Sequence, residues 1–349
     1  MIFSSDNWAG VHPEVAQALT RASGGFDSAY GSGAWDKRVA ARFNEIFERE
    51  VAVFFVATGS AANSLALASV QRPGGVAFAH TEAHILEDEC GAPEYFSGGG
   101  RLHAVAGPLG RMDLAELEAA IGRFPPGFVH GGQPAALSIT QATEIGTVYS
   151  VDEIAAVSEI GKRHGLPLHM DGARFANALT SLQVSPAEMT WKSGVDLLSF
   201  GGTKNGCWMA EAVVLFDTAR AAEFAFIHKR GAQLFSKSRF IAAQFEAYFA
   251  DDLWLKSARH ANRMAGDLAA ALEKSGRARL AWRPQANEVF AIMPRALAKG
   301  LQDKGARFHE WRKPASFDAA LGADAALYRF VTSFATTGDD IAALARLLS

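Results

Sequence analysis

The residue of this chain that most clearly indicates a chemical function is a lysine flanked by glycines. The hexapeptide GGTKNG (201–206) follows the apolar run 195–200, so Lys204 is expected at the end of a buried strand. A second apolar stretch ends in HMDGAR (169–174), which places Asp171 at another strand end. Pyridoxal phosphate requires such a pair, because the lysine forms a Schiff base with it and the carboxylate pairs with its protonated pyridine nitrogen.

Each of these two signals has a simpler explanation when taken alone. A lone strand-end lysine is usually a solvated charge, and an aspartate before glycine is common in turns. A P-loop is excluded, since that motif needs glycine immediately before the lysine and Ser or Thr immediately after it. Thr203 and Asn205 occupy those positions. The prediction therefore depends on the two residues together and on a phosphate site.

A short hydroxyl-rich loop supplies that candidate phosphate site. Thr58, Gly59 and Ser60 lie between a strand-like run (51–56) and a helix-like run (61–68). The N-terminus of a helix offers free N–H groups and a favourable dipole to an anion. An ordinary helix cap is the alternative explanation.

Strand-like and helix-like segments alternate along most of the chain, which predicts an α/β fold with a mostly parallel sheet covered on both faces. Asp113 is predicted to cap a helix over 114–121. Ser150 and Glu153 form a capping-box pattern before a further helix. The pattern changes after residue 245. We therefore expect an N-terminal arm (1–14), a large cofactor-binding domain (15–245) and a small α+β domain (246–349).

Composition narrows the class of protein. The 349 residues are 49% hydrophobic and 20% charged, with a net charge of −3, so neither nucleic acid nor an acidic membrane is expected as a partner. Cys90 and Cys207 are the two cysteines, which disfavours a disulfide scaffold and a cysteine-rich zinc site. The sequence has neither a transmembrane-length apolar stretch nor a basic N-terminal region, and a cytoplasmic location is the expectation.

Several motifs in a fixed order resemble the low-specificity L-threonine aldolases, including their phenylserine-cleaving relatives, which belong to pyridoxal-phosphate fold type I. The motifs that carry the resemblance are SDN (5–7), AYG (29–31), TGSAANSLAL (58–67), DECGAPE (88–94), TQATE (140–144), HMDGAR (169–174), FGGTKNG (200–206) and Arg329. The resemblance implies an aspartate-aminotransferase-like fold.

The resemblance also implies roles for individual residues. His84 would stack on the pyridine ring and could handle protons near the β-hydroxyl, while Arg174 would lie within reach of the substrate carboxylate and the phenolic oxygen. Arg329 would clamp the α-carboxylate, with Ser5 of the N-terminal arm as its helper. Tyr30 is included among the implied substrate-binding residues. No metal is implied.

Three departures from the family pattern bear on the mechanism. Ser32 and Gly33 replace the acidic residues that many relatives carry after the AYG motif. Phe334 and Ala335 stand where Trp-Asp is frequent. Glu144 replaces a histidine found in one branch of the family. The identity of the general base therefore stays open. Either His84 accepts the proton, or Glu144 relays it through a water molecule.

The implied reaction is retro-aldol cleavage of L-threonine, L-allo-threonine and related β-hydroxy-α-amino acids, such as phenylserine, to glycine and an aldehyde. The alternatives are another fold type I enzyme, namely a β-eliminating lyase or an aminotransferase, and a pyridoxal-phosphate-binding protein without catalytic activity. The family assembles as dimers of dimers with active sites at the dimer interface, so a homotetramer is implied by the resemblance.

Overall fold

A large central sheet organises the first two thirds of the chain. The computed structural model describes residues 1–318 and 320–349, and the seven strands of this sheet within them are β1 (Ala52–Val56), β2 (Gly75–His80), β3 (Arg101–Val105), β4 (Gln133–Thr140), β5 (Leu168–Gly172), β6 (Leu197–Gly201) and β7 (Glu211–Leu215). Their spatial order is β1-β7-β6-β5-β4-β2-β3. The pairs from β6 to β3 are parallel, and β7 runs against both of its neighbours. The predicted α/β fold with a mostly parallel sheet is confirmed.

A second, antiparallel sheet follows. Its strands are β8 (Arg279–Leu280), β9 (Glu288–Pro294), β10 (His309–Trp311) and β11 (Ala325–Val331), in the order β10-β11-β9-β8. This sheet has its own apolar core, which includes residues of the last helices. The sequence boundary at 245/246 falls within a helix, and the division into arm, large domain and small domain stays a prediction.

The helices cover both sheets. They are α1 (Pro13–Ala22), α2 (Ala34–Ile46), α3 (Gly59–Ala68), α4 (His84–Glu87), α5 (Ala92–Phe96), α6 (Leu114–Gly122), α7 (Val151–His164), α8 (Phe175–Leu182), α9 (Pro186–Met189), α10 (Ala221–Arg230), α11 (Arg239–Phe249), α12 (Leu253–Lys274), α13 (Arg295–Asp303) and α14 (Gly338–Leu348). Asp113 caps α6, and Ser150 with Glu153 forms a complete capping box on α7, as predicted. None of the helices in the described ranges combines the length and the apolar character needed to span a bilayer.

Alternation along the central strands separates a polar face from an apolar one. The register pairs Ser138 with His169 and Asp171 with Ser199, so these side chains point to the same face of the sheet. The alternate residues belong to the main apolar core: Leu137, Ile139, Leu168, Met170, Leu198 and Phe200. A one-residue slip in register would exchange the two sets, so burial of the apolar set fixes where Asp171 points.

The N-terminal segment joins the second sheet. The N–H of Phe3 donates to the carbonyl of Arg307 at 2.7 Å, and its carbonyl accepts from the N–H of Val331 at 2.8 Å. The Phe3 ring is fully buried and meets Phe330 edge-on, with ring centroids 6.2 Å apart. This packing holds the next turn of chain, which contains the buried carboxylate of Asp6, against the body of the protein.

We expect Phe3→Ala to lower the free energy of unfolding by about 3–5 kcal/mol, because it removes a fully buried aromatic ring and leaves a cavity. Chemical denaturation of both proteins measures the difference. Phe226→Ala is the matched control, since that ring is 68% exposed and its loss should change stability by less than ~0.5 kcal/mol. Equal stability of Phe3→Ala and the wild type would contradict the anchoring role of this residue.

Candidate active site

A cavity of about 260 Å³ lies at the carboxyl ends of β5 and β6. Lys204, Asp171 and His84 line it together with the loop of Thr58, Gly59 and Ser60. The structure therefore brings together the residues that were predicted to bind the cofactor, with the exception of Arg174, which does not line this cavity. Ligands of open α/β sheets bind at such strand ends.

Lys204 is presented by a single 3-10 turn, Thr203–Asn205, directly after β6. The Asn205 side chain fixes this turn by donating to the Tyr248 hydroxyl at 2.7 Å and to the Trp254 carbonyl at 2.8 Å. Gly201 allows the strand end to pack closely, since a Cβ there would lie 2.6 Å from the carbonyl oxygen of Ala173. The lysine backbone is thus held rigidly at the mouth of the sheet.

Asp171 is a buried carboxylate whose hydrogen-bond donors are both neutral. Its Oδ1 accepts from the backbone N–H of Ala173 at 3.0 Å, and its Oδ2 accepts from the Asn63 amide at 2.9 Å. Burial raises the pKa of Asp171, and the nearby Glu89 carboxylate adds to the effect. A cationic N–H group in the cavity would offset this penalty, so the protonated pyridine nitrogen of pyridoxal phosphate fits the site.

His84 belongs to a hydrogen-bonded chain that reaches Asp171. Its Nδ1 lies 2.8 Å from Oε1 of Glu89, and the same oxygen accepts from the Asn63 amide at 2.8 Å. The hydrogen bond with Glu89 raises the pKa of His84, in spite of partial burial. The bond at Nδ1 also fixes the ring, so Nε2 is the ring nitrogen that remains for a ligand.

The hydroxyl-rich loop opens α3 as predicted. Thr58 is the N-cap, and its Oγ1 accepts from the N–H of Ala61 at 3.1 Å. The cap leaves other first-turn N–H groups free, and Gly59 and Ser60 face the cavity. An anion bound there would gain from these donors and from the helix dipole, so the phosphate of the cofactor fits.

Arg174 and Arg329 lie on the same buried carboxylate, that of Glu288. The Nε and Nη2 of Arg174 donate to Asp6 at 2.8 and 3.1 Å. Glu288 Oε1 lies 3.5 Å from Arg174 and 3.6 Å from Arg329, whose guanidinium carbon is 3.8 Å from the centroid of the Trp311 ring. Arg174 is thus bound to the N-terminal segment, while Arg329 keeps donors for a ligand.

Glu144 is buried close to the same cations. Burial opposes its ionisation, but Lys204 and Arg174, followed by His84 and Arg329, outweigh burial and hold its pKa below the ordinary value. An ionised carboxylate with a lowered pKa is a weak base, which disfavours Glu144 as the group that accepts a proton.

None of the four predicted substrate-binding residues is among those that line this cavity. The two arginines lie at Glu288, and the other two residues lie at separate cavities. Ser5 lines a separate cavity of about 220 Å³, where its Oγ accepts from the N–H of Asn7 at 3.1 Å. Tyr30 is 55% exposed and lies at a cavity of about 340 Å³ bordered by β1 and α10. Within the described part of a single chain, neither side chain lines the cavity that holds Lys204.

Sequence reasoning did not select several residues that the structure places here. Asn63 and Glu89 lie in motifs that were noticed but received no role, although an asparagine within an apolar helix was a usable signal. Glu211 of β7 lines the cavity, accepts from the N–H of Thr203 at 3.2 Å, and has its pKa raised by burial to about 7. Asp6 lies in the SDN motif but received no role, and Glu288 gave no local signal. Among the described residues, no group of three or more His, Cys, Asp or Glu is arranged to hold a metal ion.

Known proteins with similar sequences and folds are consistent with this geometry. A family model described as beta-eliminating lyase matches residues 3–296. Low specificity L-threonine aldolases from Pseudomonas sp. (strain NCIMB 10558) and Pseudomonas aeruginosa are 41% and 42% identical to this chain, each over 88% of both sequences. The structure of Leishmania major threonine aldolase superposes with a TM-score of 0.91 at 27% identity, covering 99% of this chain and 98% of that one.

We expect Glu89→Gln to lower the pKa of His84, because a neutral amide no longer stabilises the protonated ring. Titration of the histidine resonances by NMR measures the change. Because the pKa of His84 is raised above 6.5 in the fold, its contribution to stability is fully present below that pH and is lost as the pH rises through the folded value. The part of the pH dependence of stability that comes from His84 should therefore be weaker in Glu89→Gln than in the wild type.

Glu87→Gln is the control for this titration, since Glu87 pairs with Arg312 at the surface. A His84 titration that is the same in Glu89→Gln and the wild type would show that the hydrogen bond does not set the pKa of His84.

Proposed function

This chain belongs to the beta-eliminating lyase family, and we propose that it is a pyridoxal-phosphate-dependent aldolase that cleaves L-threonine, L-allo-threonine and related β-hydroxy-α-amino acids to glycine and an aldehyde. The resemblance to low-specificity L-threonine aldolases and the fold type I architecture are confirmed by the relatives and by the superposed threonine aldolase. The observation that carries the proposal is that Lys204 and Asp171 face one cavity beside the N-terminus of α3.

Different residues of the cavity would bind different parts of the cofactor. Lys204 Nζ would anchor it covalently, Asp171 would accept a hydrogen bond from the pyridine N–H, and the loop at Thr58 would bind the phosphate. His84 would cover one ring face. When bound, pyridoxal phosphate supplies an electron sink conjugated with the α-carbon of the amino acid.

Arg329 would bind and orient the α-carboxylate of the substrate. A guanidinium can bind a carboxylate with two parallel hydrogen bonds, which fixes direction as well as position. The Trp311 ring beneath Arg329 restricts the movement of that guanidinium. Fixing the carboxylate decides which bond at the α-carbon stands perpendicular to the ring, and such orientation can contribute roughly 7–11 kcal/mol in the best-aligned cases.

His84 is the residue best suited to take the proton of the β-hydroxyl. Its Nδ1 is engaged by Glu89 at 2.8 Å, which leaves Nε2 to face the substrate. That hydrogen bond raises the pKa of His84, which makes the imidazole a stronger proton acceptor, and imidazole is the side chain whose ordinary pKa lies nearest to neutral pH. Glu144, with its lowered pKa, would instead stabilise the neighbouring cations.

We further propose a homotetramer of two dimers in the cytoplasm, with the active sites at the dimer interface. The position of Tyr30 supports the shared site, because its exposed ring lies away from the lysine cavity of its own chain. In a dimer, the segment that carries Tyr30 would contribute to the lysine cavity of the second copy. Light scattering combined with size-exclusion chromatography measures the assembly.

Product analysis tests the proposed function. Incubation of the cofactor-loaded protein with L-threonine should give glycine and acetaldehyde in equal amounts, and phenylserine should give glycine and benzaldehyde. Lys204→Ala should release neither product, because the cofactor loses its anchor. Borohydride reduction of the wild type should attach the cofactor to the peptide that contains Lys204.

The alternative activities give different products. Pyridoxamine phosphate with a keto acid would identify an aminotransferase, and ammonia with 2-ketobutyrate would identify a β-eliminating lyase. Failure to take up the cofactor would instead support a protein without catalytic activity. Any of these as the main outcome, or a reduced label on Lys192 instead of Lys204, would contradict the proposed function.

Arg329→Ala should lower kcat/KM for L-threonine at least ~30-fold, because truncation of one partner of a buried charge pair costs about 2–5 kcal/mol. Cofactor affinity, followed by absorbance, should change far less. Arg295→Ala is the control, since Arg295 pairs with Glu310 at the surface. Unchanged kinetic constants in Arg329→Ala would exclude this arginine as the carboxylate site.

A further inference from the structure

Glu288 is a buried carboxylate for which the proposed reaction provides no role. It begins β9, is fully buried, and neither of its oxygens has a hydrogen-bond partner. Its Oε1 lies 3.5 Å from Nη2 of Arg174 and 3.6 Å from Nη1 of Arg329. Buried carboxylates normally accept several hydrogen bonds, so an unsatisfied one requires an explanation.

The two arginines beside Glu288 also have unused donors. Nη1 of Arg174 and Nε of Arg329 are buried without a hydrogen-bond partner. Arg174 is already bound by Asp6 through two hydrogen bonds, so Glu288 is mainly the counter-ion of Arg329. This looser pairing leaves Arg329 able to exchange Glu288 for another carboxylate.

A charge count shows what such an exchange would require. With Glu288 ionised, the charges of Arg174 and Arg329 are balanced by those of Asp6 and Glu288. Glu144 faces the same group with a lowered pKa, and Lys204 is the first of the cations that stabilise its charge, so the group has no cation left over for a further anion. One more carboxylate at Arg329 would place like charges together in a buried space, where the repulsion favours protonation of one of them.

We propose that Glu288 is the internal counter-ion of Arg329 in the free enzyme, and that it takes up one proton when the α-carboxylate of the amino acid binds at Arg329. This inference rests on the carboxylate role proposed above for Arg329. The proton comes from solvent and converts the carboxylate of Glu288 to the neutral acid, with no other bond made or broken.

The surroundings of Glu288 favour this residue as the proton acceptor. Burial raises its pKa to about 7, although Arg174 and Arg329 oppose the effect, while Glu144 and Asp6 add to it. Gly146 packs directly on it, because a Cβ there would lie 3.0 Å from both the Cβ and the carbonyl oxygen of Glu288. This contact leaves no gap beside the start of the side chain, and the carboxylate itself is fully buried, so its charge is poorly solvated.

The direction of the pH effect follows from this environment. Below about pH 7 Glu288 is already neutral in the free enzyme, so binding of a carboxylate needs no proton. Above that pH the free enzyme carries the ionised form and binding must be accompanied by proton uptake. Affinity for a carboxylate should then fall up to about tenfold per pH unit, until the pKa of Glu288 in the complex is reached.

The test uses the cofactor-loaded enzyme and 3-hydroxybutyrate, which has the carboxylate and the hydroxyl of threonine but no amino group. Calorimetry at pH 8 in two buffers of different ionisation heat measures proton uptake, and inhibition of threonine cleavage from pH 6 to 9 gives the inhibition constant. The wild type should take up about 0.5–1 proton per site. No uptake by the wild type at this pH would overturn the proposal without any variant.

Matched variants identify the group that accepts the proton. Glu288→Gln should abolish most of the uptake and flatten the pH dependence of the inhibition constant. Glu310→Gln, which alters an exposed carboxylate of the same sheet, should retain both. Uptake that persists in Glu288→Gln and disappears in Glu144→Gln would assign the proton to Glu144 and overturn the proposal.

The Arg329→Ala variant separates this inference from the function on which it rests. If that variant binds 3-hydroxybutyrate as well as the wild type does, the carboxylate role of Arg329 is wrong, and the inference is lost with it. If it loses the ligand while the wild type takes up no proton, only the inference about Glu288 is wrong.

Discussion

Burying the Asp171 carboxylate at the end of a central strand carries a free-energy penalty that the surrounding residues only partly offset. The N–H of Ala173 and the amide of Asn63 each donate one hydrogen bond, but neither brings a positive charge. Isolated charges are strongly disfavoured in a protein interior. A cation in the cavity would offset that penalty, and the N-terminus of α3, Lys204 and the Glu89–His84 pair all lie at the same cavity.

A second group of charges ties distant parts of the chain to this centre. Asp6 from the N-terminal segment, Arg174 from the start of α8 and Glu288 from β9 meet in one buried cluster. Removing one partner of such a cluster usually costs about 3–5 kcal/mol, because the remaining charge is left without compensation. The cluster thus couples the N-terminal segment and the second sheet to the central sheet, and it holds Arg329 at Glu288.

Local sequence signals predicted the elements that hold the site with good accuracy. The capping box of Ser150 and the cap of Asp113 act within three or four residues, so no distant contact is needed to recognise them. The strand ends before Asp171 and Lys204 were also recognisable, since an apolar run followed by a glycine-containing turn is itself a local pattern. Motifs shared with the family did not by themselves fix where a side chain lies. Ser5 and Tyr30 match family motifs, yet in one chain they lie at other cavities, because a short motif does not specify how the chain around it packs.

The sequence by itself determined the α/β class and the positions of Asp171, Lys204 and the Thr58 loop at the ends of their elements, since each depends on hydrophobic periodicity and on short-range turn and cap chemistry. Only the tertiary structure decided the partners of the charged groups. That Asn63 bridges Glu89 and Asp171, and that Glu288 lies between Arg174 and Arg329, depends on residues far apart in sequence that meet in the folded chain. Charge pairing has no sequence period and acts through space, and burial sets its strength, so these contacts could be identified only after the chain had been folded.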